Sequence, residues 1–168
     1  IDTSEFLKPV ESFGSFNAFF CRELKPEARP VERDPAAVVF PADGRHLGWQ
    51  ELGAEQSVFV KGQRWDLEQL LGGDAALIDI FEGGSLVLSR LCPVDYHHFH
   101  FPVSGRLVES RWLGQRLYSV SPIALRRRLS CLWENKRHLS LIDSGEHGRV
   151  CFIVVGATNV GSIQYRER

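Results

Sequence analysis

The stretch HLSLIDSGEHGRVCFIVVGATNVGSIQY, residues 138–165, decides the fold class. It holds three short apolar or alternating runs, HLSLI (138–142), RVCFIVVGA (149–157) and NVGSIQY (159–165). Runs of that length, each bounded by Gly, Pro or Asp, read as strands. The same pattern extends upstream through AVVF (37–40), HLGWQEL (46–52), SVFV (57–60), SLVLSRL (85–91), HFHFPVSGRLVES (98–110) and RLYSV (116–120). Three segments carry helical spacing instead: ESFGSFNAFFCREL (11–24), WDLEQLLG (65–72) and PIALRRRLSCLW (122–133). Ser12 or Ser15 can cap the first, and Pro26 and Pro30 end it. Pro122 suits the first turn of the third. The prediction is an α+β fold, mainly β: a sheet sandwich or partly closed barrel with short peripheral helices, one domain over residues 1–168.

Composition narrows the function classes. With 168 residues, 43% hydrophobic and 24% charged, the chain can bury a core without disulfides and is not a disordered polymer. A formal charge of -1 argues against a dedicated nucleic-acid binder. Cys21, Cys92, Cys131 and Cys151 form no CxxC pair, which argues against a structural zinc site and for a reducing compartment. No apolar run approaches the ~20 residues of a membrane span. The chain starts at Ile1 and stops just after a strand-like run, so we expect a piece of a longer product.

Three segments can carry chemistry. In Pro41-Ala42-Asp43-Gly44 the aspartate either caps a turn or orients a histidine in a nucleophile–base–acid relay. In Asp95-Tyr96-His97-His98-Phe99-His100-Phe101-Pro102, three imidazoles lie within four positions. They suit a zinc site, two separate proton transfers, or plain polar packing. On a strand His97 and His100 would face opposite sides, whereas a bend would let both reach one cavity. The two glycines of Val154–Ile163 mark a bulge or close backbone approach. Ser162 lies in that alternating pattern without a GxSxG elbow and is discounted as a nucleophile.

Two further features have a bland and a sharp reading. Arg126–Arg128 is either a solvated helix face or a site for anionic lipid or phosphate. The stripe Phe13, Phe16, Phe19, Phe20 either packs in a core or lies in a bilayer interface.

Taken together, FNAFFCRELKPEARPV, FPADG, DYHHFHFPVSG and VGATNVGSI, in this order, resemble the motifs of the phosphatidylserine decarboxylase family from about residue 10 onward. The resemblance implies decarboxylation of phosphatidylserine to phosphatidylethanolamine through a Schiff base to a pyruvoyl group. It also implies that a proenzyme makes this group by cutting itself at a Gly-Ser-Thr-like sequence, which these residues do not include. The chain would then be most of the large β chain, without its C-terminal strands and the pyruvoyl-bearing α chain. Carried over by motif, Asp43 would orient His100, and His100 would take the proton of the cleavage-site serine. His97 would assist decarboxylation, and His98 would have no role. No metal ligand is implied. The implied partners are the chain's own α chain, phosphatidylserine and an anionic membrane surface, with a homodimer of αβ units by analogy. The implied location is peripheral, on the cytoplasmic face of a bacterial inner membrane. From other classes come a non-catalytic phospholipid-headgroup-binding domain on the same scaffold and a zinc hydrolase using His97, His98 and His100.

Overall fold

The computed structural model describes residues 1–51, 59–60, 63–64 and 66–165. In chain order its first elements are α1 (Phe16–Phe20), β1 (Arg45–Trp49), β2 (Phe59–Val60), β3 (Gln63–Arg64), α2 (Leu67–Leu70) and α3 (Ala75–Phe81). There follow β4 (Leu86–Arg90), β5 (Arg106–Leu113), α4 (Pro122–Arg127), α5 (Cys131–Glu134), β6 (Arg137–Asp143) and β7 (Arg149–Val155). The fold is α+β and mainly β, in open sheets: β1 pairs with β4, β2 with β3, and β5, β6 and β7 form an antiparallel three-stranded sheet. No closed barrel forms among the described residues. The chain divides into two compact units, one of Ile1–Gly48 with Val87–Ser104, the other of Trp49–Leu86 with Gly105–Arg168.

The second unit is built on β6, the middle strand of its sheet. Residues 137–142 of β6 are all buried. Leu139 and Leu141 pack with Leu71 and Leu77 from α2's end and α3, against Leu113, Cys151 and Ile153 of the flanking strands. A strand with neighbours on both edges and cover on its faces must satisfy its polar side chains internally. Arg137 does so by donating from Nε to the Leu70 carbonyl (2.8 Å) and from Nη2 to that of Gln69 (2.6 Å), both at the end of α2. Asn135, fully buried, accepts from the Tyr118 N–H and donates to the carbonyls of Tyr118 and Gly156, each at 2.8 Å. Those three bonds hold the turn that carries Gly156, so Asn135→Ala is expected to cost about 2–3 kcal/mol in urea unfolding. A loss below the error of the midpoint would show that Asn135 does not pin that turn.

The first unit is held by aromatic packing at its N-terminal end. Phe6, Phe13 and Phe19 form a mutual cluster with ring centroids 5.8–6.2 Å apart. The Phe stripe therefore splits: Phe13 and Phe19 pack inward, whereas Phe16 is 74% exposed.

Several predicted boundaries are corrected. The helix expected over 11–24 is one short α-helix capped by Ser15, because the Cys21–Leu24 segment turns to pair Leu24 with Phe6. The helix expected over 122–133 breaks between Arg127 and Cys131. AVVF, RLYSV and NVGSIQY form no regular strand, and the predicted strand 98–110 is regular only from Arg106. The parts of HLGWQEL, SVFV and WDLEQLLG at residues 52, 57–58 and 65 lie outside the described residues.

Candidate active site

The aspartate and histidine motifs fall in the same unit and touch through their backbones. The Val39 N–H donates to the Pro102 carbonyl and the His100 N–H donates to the Pro41 carbonyl, both at 2.9 Å. Two such bonds align residues 39–41 with 100–102 without making a regular strand, and they set His100 beside the turn that begins at Pro41. The Nε2 of His100 is shielded from solvent. Gly44 closes the turn at φ +117°, where a Cβ would stand 2.4 Å from the Arg90 carbonyl oxygen. Only glycine meets both demands, and it fixes where Asp43 sits against β4.

Asp43 is gripped from the other side by Arg29. Nε of Arg29 lies 2.8 Å from Oδ1 and 3.0 Å from Oδ2, and Nη2 lies 2.9 Å from Oδ2. Its Nη1 reaches both carboxylate oxygens of Glu5 at 3.2 Å. The hydrogen bonds that Arg29 donates to Asp43, and then those to Glu5, raise its pKa further above its usual value, so the guanidinium is permanently charged.

His97 is held differently. Its Nδ1 lies 2.9 Å from the carbonyl oxygen of Asp95, so Nδ1 carries the proton and Nε2 presents a lone pair. The ring lies against Phe20, tilted by 40° with centroids 4.0 Å apart. Burial lowers its pKa, with the Asp95 carbonyl pulling the other way, which favours the neutral ring. The segment is irregular, which replaces the expected strand and removes the requirement that His97 and His100 face opposite ways. His98 turns to the Cys21 carbonyl at 3.3 Å and stacks on Tyr96. Among the described residues no three His, Cys, Asp or Glu side chains are arranged to hold a metal ion.

Two functional neighbours were not found from the sequence. Arg22 is 3% exposed, stacks on Phe6 and Phe19 at 5.1 Å, and donates to the carbonyls of Val94 (3.1 Å) and Asp95 (3.3 Å). It thereby ties the histidine loop to the aromatic cluster. Arg29 is the other. Their signal was an arginine three residues after an aromatic (Phe19, Arg22) and an arginine fixed before Pro30. Arg22, Arg29, Glu5, Phe6, Asp43 and Asp95 help line a cleft of about 280 Å³.

The third motif belongs to the other unit. Gly156 donates to the Lys136 carbonyl at 2.8 Å, and a Cβ there would meet the same oxygen at 2.9 Å, so the close backbone approach read from the glycine is present. Ala157 and Val160 bridge across a tight turn. Ser162 follows that turn, exposed and outside any strand, which corrects the alternating-strand expectation.

Comparison with known proteins then defines the class. The profile of the family described as phosphatidylserine decarboxylase matches residues 16–168. The chain is 43% identical over 163 residues to the phosphatidylserine decarboxylase proenzyme of Ruminiclostridium cellulolyticum, covering 97% of this chain and 54% of that protein. Identity is likewise 43% over 163 residues to the proenzyme of Chlamydia caviae, with the same coverage. It is 44% over 159 residues to that of Chlamydia muridarum, covering 95% and 52%. The chain belongs to the phosphatidylserine decarboxylase family. It spans about half the length of the curated relatives it matches. No helix among the described residues is long and apolar enough to cross a membrane.

Proposed function

We propose that these residues are the large-chain part of a self-maturing phosphatidylserine decarboxylase. The observation that carries the proposal is the His100–Pro41 backbone bond, which sets the histidine loop against the Asp43 turn in a family whose curated relatives are proenzymes.

In maturation, Asp43 supports the positive charge that His100 acquires on taking a proton from a serine hydroxyl outside these 168 residues. That oxygen attacks the preceding carbonyl, the C–N bond breaks, and His100 returns the proton to the leaving amine. Loss of a proton from the serine Cα expels the large chain's carboxylate from this ester by elimination; the dehydroalanine terminus left behind tautomerises to an imine, and water hydrolyses it to a pyruvoyl group with release of ammonia. When bound, a pyruvoyl group supplies an electron sink for decarboxylation, which no ordinary side chain offers. The chemistry of the donor set fits such a group: a neutral imidazole with its Nε2 lone pair available, fixed by the Asp95 carbonyl and Phe20. His97 takes up a proton as the substrate amine reacts and delivers one to carbon once the carboxylate has left.

The same proposal places the protein peripherally on the cytoplasmic face of a bacterial inner membrane, with its α chain, phosphatidylserine and an anionic surface as partners, as αβ dimers. Phe16, at 74% the most exposed large apolar residue among the described residues of its unit, offers that surface an apolar contact.

His97→Ala in the full-length protein is expected to leave cutting unchanged while lowering carbon dioxide release from phosphatidylserine vesicles by about 10²-fold or more. In the wild type, release should fall only below about pH 6.5, because burial keeps the neutral imidazole populated to lower pH than an exposed one. Normal release by the variant would remove His97 from the chemistry. A wild-type protein that binds the vesicles yet releases no carbon dioxide would favour the headgroup-binding module.

A further inference from the structure

We propose that Arg29 is a positioning residue for self-cleavage, holding the Asp43 carboxylate in the orientation His100 needs while Glu5 balances its charge. The inference rests on Asp43 acting in the relay. One edge of the guanidinium, Nε and Nη2, takes both oxygens of Asp43 at 2.8–3.0 Å, and Nη1 takes Glu5 at 3.2 Å. A carboxylate offers about four lone-pair sites, so a fork on one side fixes its plane and leaves acceptor capacity for an imidazole N–H. An arginine alone would neutralise Asp43 and weaken its support of a histidine cation. Two carboxylates sharing one guanidinium keep a net negative charge at the turn.

The three groups are delivered by a built frame. Lys25 and Arg29 flank the turn Pro26–Ala28, and Lys25 ties back to the N-terminal segment from its N–H to the Glu5 carbonyl (2.8 Å) and from Nζ to the Ser4 carbonyl (2.7 Å). Glu5 is thereby fixed at the end of the Thr3–Glu5 turn, which Asp2 caps. Opposite, Gly44 fixes Asp43 against the Arg90 carbonyl. The Arg29 side chain is 42% exposed and that of Asp43 24%. Pairs this accessible add little to folding stability, so the loss of Arg29 should register on the cutting rate rather than on the fold.

The test compares Arg29→Ala, Arg29→Lys, Glu5→Gln and Asp43→Ala in the full-length proenzyme, measuring the cutting rate, the unfolding midpoint and rescue by low-millimolar guanidinium chloride. Arg29→Ala is expected to cut at least tenfold more slowly with an unchanged midpoint, Arg29→Lys to fall between it and wild type, and Glu5→Gln to slow cutting by a few-fold. Guanidinium should restore part of the rate in Arg29→Ala and none in Asp43→Ala. Wild-type cutting by Arg29→Ala beside an uncut Asp43→Ala would overturn the inference and leave the relay standing. So would a slow Arg29→Ala that is neither rescued by guanidinium nor improved by lysine. Normal cutting by Asp43→Ala would instead sink the relay itself.

Discussion

Full-length protein carrying His100→Ala is expected to accumulate as one uncut chain, with cutting slowed by at least 10²–10⁴-fold. The expectation follows from the position of His100. Its main chain bonds to Pro41, two residues before Asp43, and its Nε2 is out of solvent, where a proton can pass to a neighbouring group without competition from water. A serine hydroxyl is a poor nucleophile unless a base takes its proton as it attacks, and an imidazole beside a carboxylate is matched to that task near neutral pH. Under the proposed function the pyruvoyl terminus arises only on cutting, so decarboxylation is expected to be lost together with it. His97→Ala should separate the two activities, and the contrast between the variants is itself diagnostic. Efficient cutting by His100→Ala would remove this residue from the relay.

Gly44→Ala is expected to be the most damaging single methyl group in the first unit, at about 3–5 kcal/mol of stability, measured by denaturant unfolding. At φ +117° an L side chain is strained in its own backbone, and the added Cβ would lie 2.4 Å from the Arg90 carbonyl oxygen, far inside contact distance. The neighbour is main chain of β4, so no side chain can swing aside. Either the turn lifts from the strand or the strand bends, and both displace Asp43 from Arg29 and from the His100 segment. Any folded Gly44→Ala protein should therefore also cut slowly. A variant with wild-type stability and cutting would show that the turn is not the rigid seat described above.

Much of the fold could be read from the chain because its central strands announce themselves. The apolar runs at 85–91, 138–142 and 149–157 correspond to β4, β6 and β7. Local pattern failed where tertiary contacts overrule it. Phe16–Phe20 stays helical but Cys21–Leu24 does not, since Arg22 is drawn to the Val94 and Asp95 carbonyls and Leu24 to Phe6. Helix α3 passed unnoticed although Asp74 caps it through the N–H groups of Ala76 and Leu77, and Leu77, Ile78 and Phe81 show helical spacing. At the candidate site, the sequence singled out Asp43, His97 and His100 by their chemistry, but not the two arginines that contact Asp43 and the Val94 and Asp95 carbonyls. A cation's partner is a matter of three-dimensional proximity: Arg29 meets Asp43 fourteen residues away and Arg22 meets Val94 seventy-two away, separations to which no local periodicity is sensitive.

The most direct measurement is the intact mass of the purified full-length protein, wild type beside Asp43→Asn, with and without prior reduction by cyanoborohydride in the presence of an amine. The wild type is predicted to give two chains, the smaller with a blocked terminus that gains the amine on reduction, and Asp43→Asn a single uncut chain. A wild type that stays whole, or a small chain that begins with an unmodified serine and ignores the reductant, would contradict the account.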